Sequence, residues 1–294
     1  MKISILTATY NRANLLKKLY KSIVENNSKE IVIEWLIMND GSSDDTEEIV
    51  KKFINENVIK ILYFKQKNMG KMNAINNLIQ HVTGDLIIEC DSDDYFINGS
   101  FDLIYEQYKN NKNQNIYALC FLKYDKNGKN IGAVFKNDIT TMFDLYFREG
   151  ENGEKALVYY GKIRKKFKYE LEENERFVTE ARMHHKIDLK YKIKCVNKPI
   201  MICEYQDNGY TKNIIDQFIQ NPKGYYNFFK EILERDTKNI SFKKRIYIIK
   251  HYILFKYLTN SKKGLRSVKG YLNRIIYILL YIPGVILSQI KYRR

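Results

Sequence analysis

The chain is poor in residues that break or cross-link a fold: three prolines and four cysteines in 294 residues. With proline this scarce and no low-complexity stretch or internal repeat, nothing in the sequence reads as a linker or a solenoid. Cys90, Cys120, Cys195 and Cys203 lack metal-ligand spacing, and each sits in an apolar context. They read as reduced core thiols of a cytoplasmic protein, not as a disulfide framework or zinc site. Met1 leads straight into Ile3-Ser4-Ile5-Leu6 without a charged n-region, so no signal peptide is expected. The uncharged run from Ile275 to Ile290 is interrupted by Pro283-Gly284 and falls short of the roughly 20 residues that span a bilayer. Acidic residues all but vanish towards the end: from Asp236 to Arg294 there are fourteen Lys or Arg and one acidic residue.

Most of the formal charge of +16 therefore resides in the last fifth of the chain, +13 of it, and the first 235 residues carry only +3. A basic segment suits nucleic acid, an acidic protein or an anionic membrane surface. Here the charges alternate with apolar and aromatic runs such as Ile246-Tyr247-Ile248-Ile249 and Tyr252-Ile253-Leu254-Phe255. A nucleic-acid binder would instead gather its basic residues on a docking surface, so no nucleic-acid partner is expected. Arg274 on one side of the Ile275–Ile290 run, and Lys291, Arg293 and Arg294 on the other, suit a helix lying in the lipid interface. The alternative is a helix packed on the body of the protein. The expected location is cytoplasmic, peripheral on the inner face of the cell membrane.

Periodicity over the first 120 residues alternates between strand and helix. Strands are expected at Lys2–Thr9, Val32–Met38, Val58–Phe64 and Asp85–Cys90, with helices at Asn14–Asn26, Asp44–Asn55, Gly70–His81 and Phe101–Lys109. Repeated β-α units imply a Rossmann-like α/β fold: a mostly parallel twisted sheet with flanking helices. Beyond residue 115, Ile116–Tyr124 and Gly132–Phe135 suggest paired strands around a Lys126-Asn127-Gly128-Lys129 turn. Helices return near Ile214. The expected division is an α/β domain over 1–207 and a basic, apolar helical extension over 208–294.

Ligands of such sheets bind outside the carboxyl ends of the strands, and four unusual polar segments fall there. Asp91-Ser92-Asp93-Asp94 places three carboxylates within four residues, which repel unless a cation or hydrogen bonds sit among them. Hard divalent ions take such oxygens together with substrate phosphates; a solvated acidic turn is the plainer alternative. Asp40, opening a Gly-Ser turn, is placed to accept hydrogen bonds from a base or ribose, with Asp44 as a helix cap. Asn68-Met69-Gly70-Lys71 precedes a helix, where a Gly and a Lys favour phosphate. Arg12 reads as solvated, with phosphate contact as the alternative.

Ala8-Thr9-Tyr10-Asn11-Arg12, Asn39-Asp40-Gly41-Ser42-Ser43-Asp44-Asp45-Thr46, Asn68-Met69-Gly70-Lys71-Met72-Asn73-Ala74-Ile75-Asn76 and Asp91-Ser92-Asp93-Asp94 resemble, in order and spacing, a family 2 glycosyltransferase of the GT-A fold, of the bacterial cell-surface polysaccharide type. The resemblance covers roughly residues 2–205. It implies a metal-dependent, inverting hexosyl- or N-acetylhexosaminyl-transferase using a nucleotide sugar, UDP-linked, with a glycan or lipid-linked acceptor. Ala8, Thr9 and Asp40 would hold uracil and ribose, and Asn68 and Lys71 would lie near the diphosphate. Asp91 would contact ribose or the metal shell, Ser92 would belong to the donor-binding set, and Asp93 would ligate Mn²⁺ or Mg²⁺. Ala8 stands where the family often has Pro, Ile75 where it often has Arg, and Asn39 where it has Asp. The resemblance makes Glu180, in Phe177-Val178-Thr179-Glu180-Ala181-Arg182, the candidate catalytic base, with Glu173, Glu175 and Asp188 as rivals. His184, one turn on, reads as a surface or packing histidine, with a metal or diphosphate contact as the alternative. Two other classes remain open: a nucleotide-binding but inactive homologue, and a nucleotidyltransferase. The latter should carry a glycine-rich loop after the first strand, and Thr7–Arg12 has no glycine.

Overall fold

The computed structural model describes residues 1–111, 114–204 and 214–292. Four β-α units come first: β1 (Lys2–Thr9), α1 (Ala13–Glu25), β2 (Val32–Asn39), α2 (Thr46–Glu56), β3 (Lys60–Lys65), α3 (Lys71–Leu78), β4 (Leu86–Glu89), then β5 (Asp94–Phe96) and α4 (Ser100–Asn111). β1 pairs in parallel with both β2 and β4, and β2 with β3. Alternation along β1 and β2 sends Ile3, Ile5, Ile33, Trp35 and Ile37 to one face. There they meet Leu16, Leu19 and Ile23 of α1 and Ile49, Val50 and Phe53 of α2 in one buried cluster. Trp35 is fully buried, and its Nε1–H donates to Thr7 Oγ1 at 3.0 Å. α3 packs against β1 and β2.

After α4 the sheet turns mixed. The chain adds β6 (Ile116–Asp125), β7 (Ile139–Thr140), α5 (Met142–Phe147), β8 (Lys155–Tyr160), α6 (Gly161–Arg164), α7 (Glu180–Ile187) and β9 (Lys192–Cys203). The strand order is β3-β2-β1-β4-β8-β6-β9-β5, with β7 on β9. β8 runs antiparallel to β4 and β6, and β6 parallel to β9. β4 and β5 are thus far apart in strand order, yet only residues 90–93 join them, in a turn closed by Asp94 N–H to the Asp91 carbonyl at 3.1 Å. A connection this short requires the sheet to curl, and the carboxylate cluster lies where it does so. The Lys126–Lys129 turn is present, held by Asp125 Oδ1 accepting from Asn127 N–H and Lys129 N–H. The expected strand at Gly132–Phe135 is not. Gly132 and Gly153 take φ of 88° and 75° where two chain segments cross, and a Cβ on Gly132 would sit 2.0 Å from the Asn152 carbonyl oxygen. β8 and β9 flank β6 instead.

At the amino ends of the strands, away from the cluster, buried Glu34 of β2 accepts from Ser4 Oγ (2.5 Å), Thr83 N–H and Oγ1 (2.8 Å each) and Lys2 Nζ (2.7 Å). Burial alone would raise its pKa, but these donors outweigh burial and hold the carboxyl at about 2. A depressed carboxyl contributes its full stability above its ordinary value and loses it as pH falls through the folded value. The stability difference between wild type and Glu34→Gln, measured by urea unfolding, should therefore be constant near neutrality. It should shrink between the ordinary value of 4.5 and about pH 2. A pH-independent difference would contradict this role.

Two compact units are distinguished: Met1–Tyr169 with Met183–Asp207, and Glu170–Arg182 with Asn208–Arg294. The expected boundary between 207 and 208 lies outside the described residues, as do Arg293 and Arg294. The second unit holds α8 (Ile214–Gln220), α9 (Pro222–Leu233), α10 (Phe242–Leu258) and α11 (Tyr271–Tyr292). α11 continues through Pro283 and packs on α10, with Gly284 against Ile253. Among the described residues, no helix is long and apolar enough to cross a membrane.

Candidate active site

Side chains stitch the four strand ends together. Asn11, with φ of 51°, follows β1; its N–H donates to Ser42 Oγ (2.9 Å), and its Oδ1 accepts from Ser43 N–H (2.8 Å). Asp44 accepts from Ala13 N–H (3.0 Å) at the start of α1 and from Thr46 Oγ1 (2.6 Å) at the start of α2. Asp44 therefore ties both helix starts together, although the N-cap position of α2, expected at Asp44, falls on Asp45. Asn39 accepts from Ser42 N–H at 2.7 Å, tightening the same turn. Asn76 of α3 exchanges two hydrogen bonds with the Tyr169 backbone. Gly41 must be glycine: its φ is +83°, and a Cβ would lie 2.9 Å from Asn68 N.

Buried Asp40 reaches across to the next loop. Its Oδ1 accepts from Gln66 Nε2 (2.7 Å) and Met69 N–H (2.8 Å), and its Oδ2 from Gly70 N–H (2.8 Å). Asp40 thus shapes the Asn68–Lys71 loop, and Gly70 meets it with φ of 90° and ψ of 157°, a region open to glycine alone. An Asn at position 40 turns one acceptor into a donor facing backbone N–H groups. Asp40→Asn should cost about 3 kcal/mol of stability and lower nucleotide affinity, read by thermal melting and calorimetry. Unchanged melting would contradict the loop-shaping role.

At the turn after β4, each carboxylate has its own cation. Lys71 Nζ lies 2.6 Å from Asp91, Arg12 Nη1 3.1 Å from Asp93, and Lys123 Nζ 2.7 Å from Asp94. Arg12 Nη1 also donates to Ser92 Oγ at 3.3 Å. Arg12 is therefore an ion-pair partner of the cluster, against its reading as a solvated arginine. Burial pushes the Asp93 carboxyl up to about 6; Arg12 opposes this, while Asp91 and Asp94 add to it. Burial also acts on Asp91, but Lys71 and Lys123 hold its carboxyl below the usual range. Asp94 is raised by burial despite Lys123.

Lys123 and Glu154 escaped the sequence reading. The available signal was a lone charge within Ile116–Lys123, whose first seven residues are all buried. Asp94, Glu154 and Cys203 form a group close enough for a metal, their ligand atoms within 4.8 Å of one another. Lys123 Nζ already bonds both carboxylates, at 2.7 and 3.3 Å. That group therefore reads as an internal ion cluster anchoring the turn. Asp91 and Asp93 suit a hard ion better, because they offer only oxygen donors and no thiol.

Ala8 is half-buried. Thr9 is buried, and its Oγ1 has no hydrogen-bond partner, an orphan polar atom at the end of β1 that a ligand would satisfy. His184 is buried, with Nε2 2.7 Å from Tyr159 Oη, which favours its packing role. Glu180 is the half-buried first residue of α7. Arg182, two residues on, is tied to Glu172 (2.8 Å) and Glu231 (3.0 Å). Two rivals of Glu180 have structural partners. Glu175 accepts from Lys223 and Gly224 N–H at the start of α9, and Asp188 from Met142 and Phe143 N–H at the start of α5.

Comparison with known proteins gives the family and the fold. The model of "Glycosyl transferase family 2" matches residues 4–169, more than half of the chain. An uncharacterized glycosyltransferase of Mycoplasma genitalium, MG060, is 25% identical over 240 residues, 79% of this chain and 71% of its own. Several other curated relatives align over about a third or less of their own length. Among solved structures, Staphylococcus aureus TarS 1-349 in complex with UDP-GlcNAc superposes with a TM-score of 0.65 at 17% identity, covering 100% of this chain and 93% of that one. Mannosyltransferase PcManGT from Pyrobaculum calidifontis, in complex with GDP-Man and Mn²⁺, gives 0.56 at 12% identity, covering 99% and 86%. The strand order, the stitched strand ends and the family match lead to one assignment: the chain belongs to glycosyl transferase family 2 and is a glycosyltransferase with the GT-A fold.

Proposed function

We propose that the chain is a metal-dependent, inverting transferase that moves a hexosyl or N-acetylhexosaminyl group from a UDP-sugar to a glycan or lipid-linked acceptor in cell-surface polysaccharide synthesis. The observation that carries this reading is the pairing of Arg12 with Asp93 and of Lys71 with Asp91 at one sheet edge. A diphosphate and a divalent ion, arriving together, satisfy both halves of those pairs: oxygens for the cations and a cation for the oxygens. TarS with UDP-GlcNAc and PcManGT with Mn²⁺ share the fold, which supports the choice of ligands.

Asp93, with Asp91 beside it, would hold Mn²⁺ or Mg²⁺, which when bound supplies Lewis-acid charge to the leaving diphosphate. Ala8, Thr9 and Ser92 line the nucleotide side, and Asp40 keeps Asn68 and Lys71 in position. Lys71 and Arg12 stabilise the charge that develops on the diphosphate. The acceptor oxygen bonds to the anomeric carbon as the bond to the diphosphate oxygen breaks. UDP leaves with that electron pair, and Glu180 takes the acceptor proton. The basic second unit brings the enzyme to an anionic membrane surface on the cytoplasmic side, where lipid-linked acceptors lie.

The test is hydrolysis of a panel of UDP-, GDP- and dTDP-sugars with Mn²⁺ or Mg²⁺, starting with UDP-GlcNAc. Release of UDP from one UDP-sugar, abolished by a chelator, is the expected result. Turnover of a GDP- or dTDP-sugar only would overturn the UDP assignment, and binding of UDP without turnover of any sugar would favour an inactive homologue.

A further inference from the structure

We propose that the outer face of α11 and the adjoining pocket between α10 and α11 form a docking site for anionic phospholipid. The face enters the acyl boundary, and the pocket takes a phosphate headgroup. This rests on the membrane-surface reading above and narrows it to particular residues.

α11 is apolar on two sides. Ile276, Tyr277 and Gly284 are buried, with Gly284 so close to Ile253 that a Cβ would lie 3.0 Å from its Cγ2. The opposite side shows Ile278, Leu279, Ile282 and Ile286 to solvent, Leu279 and Ile282 each 70% exposed. Spacings of three, four and seven residues put these on one stripe, which extends back to exposed Tyr271 and Leu272. Exposed Lys269 and Arg274 lie at its start. A stripe of this kind, beginning in tyrosine and basic side chains, is built to lie in the plane of a bilayer surface.

Beside the stripe is a cavity of about 240 Å³, where Lys256, Tyr257, Asn260, Ser261 and Tyr281 surround apolar Ile253. Lys256 Nζ stands 5.3 Å from the Tyr281 ring centroid and 3.4 Å from its hydroxyl. Tyr281 lies on the turn of α11 that carries Ile278 and Ile282, so an ammonium and several hydroxyl and amide groups sit next to the apolar stripe. No acidic residue follows Asp236 in the chain, so α10 and α11 offer Lys256 no carboxylate. A phosphate would supply the missing charge. A second copy of this chain is the poorer occupant, because pairing these faces would bring together two segments with fourteen Lys or Arg and one acidic residue each.

The test is flotation of the full chain with phosphatidylcholine vesicles, with and without phosphatidylglycerol. It compares wild type with Ile282→Glu, Leu279→Glu, Lys256→Gln and Lys269→Gln. Wild type should float only with the anionic vesicles. Either Glu variant should lower partitioning at least about tenfold while keeping wild-type circular dichroism. Lys269→Gln should lose at most about fivefold and Lys256→Gln clearly more. Equal losses for the two Gln variants would overturn the headgroup pocket. Unchanged flotation of the Glu variants would overturn the face. A wild-type dimer in analytical ultracentrifugation, broken by Ile282→Glu and indifferent to vesicles, would assign the face to a second copy. UDP-sugar hydrolysis by Ile282→Glu without vesicles should match wild type, so a failure here is separate from a failure of the donor reading.

Discussion

Asp93→Ala is expected to lower sugar transfer about a thousandfold, roughly 4 kcal/mol of transition-state stabilisation, without unfolding the protein. The carboxyl is half-buried beside two others, with its pKa raised to about 6. A raised carboxyl costs the folded state free energy: the cost is complete above about pH 6 and fades as pH falls towards the ordinary value of 3.8. A strained carboxyl of this kind is expected at a functional site, so removing its charge should not lower stability. Without metal, the melting temperature of Asp93→Asn at pH 7.5 should therefore equal or exceed that of wild type, while transfer is lost. Metal affinity of the wild type should fall below about pH 6, where a proton competes for the same oxygens. A markedly lower melting temperature for Asp93→Asn would make Asp93 a structural partner of Arg12 instead.

The second large effect concerns the proton. Glu180→Gln should lower transfer by about two to four orders of magnitude, with UDP affinity nearly unchanged, because the amide keeps the shape but accepts no proton. Two of its rivals make contrasting controls. Glu175 bonds the first N–H groups of α9 and Asp188 those of α5, so Glu175→Gln and Asp188→Asn should lower the melting temperature, at about 1 kcal/mol per lost cap, more than the rate. If Glu180→Gln turns over normally and Glu173→Gln does not, the base is Glu173.

Much of the site was legible because β-α periodicity is local. Apolar runs ending in polar residues mark strand ends, and parallel topology gathers those ends at one edge. Asp40, Asn68, Lys71, Asp91 and Asp93 could be located that way before any contact was known. What each side chain bonds to was not legible. The loop-shaping role of Asp40 is one example: both of its oxygens accept from the neighbouring loop, contacts that no local pattern announces. Arg12 and Asp93 are 81 positions apart, and only the fold brings them to 3.1 Å. β5 has three residues and pairs with Met201–Cys203, over a hundred positions on; a segment that short has no period to read. The Gly132–Phe135 strand was misread because apolar residues after a tight turn look like a hairpin return, whereas two glycines let another segment cross there.

Asp93 and its neighbours are proposed to bind a metal and a UDP diphosphate together, and this joint binding decides the assignment. It is tested most directly by calorimetric titration of the purified chain with UDP, with and without Mn²⁺, in wild type and Asp93→Ala. The expected result is UDP binding that Mn²⁺ strengthens at least about tenfold in wild type and not in the variant. UDP binding of equal strength with and without Mn²⁺, or metal enhancement that survives in Asp93→Ala, would contradict it.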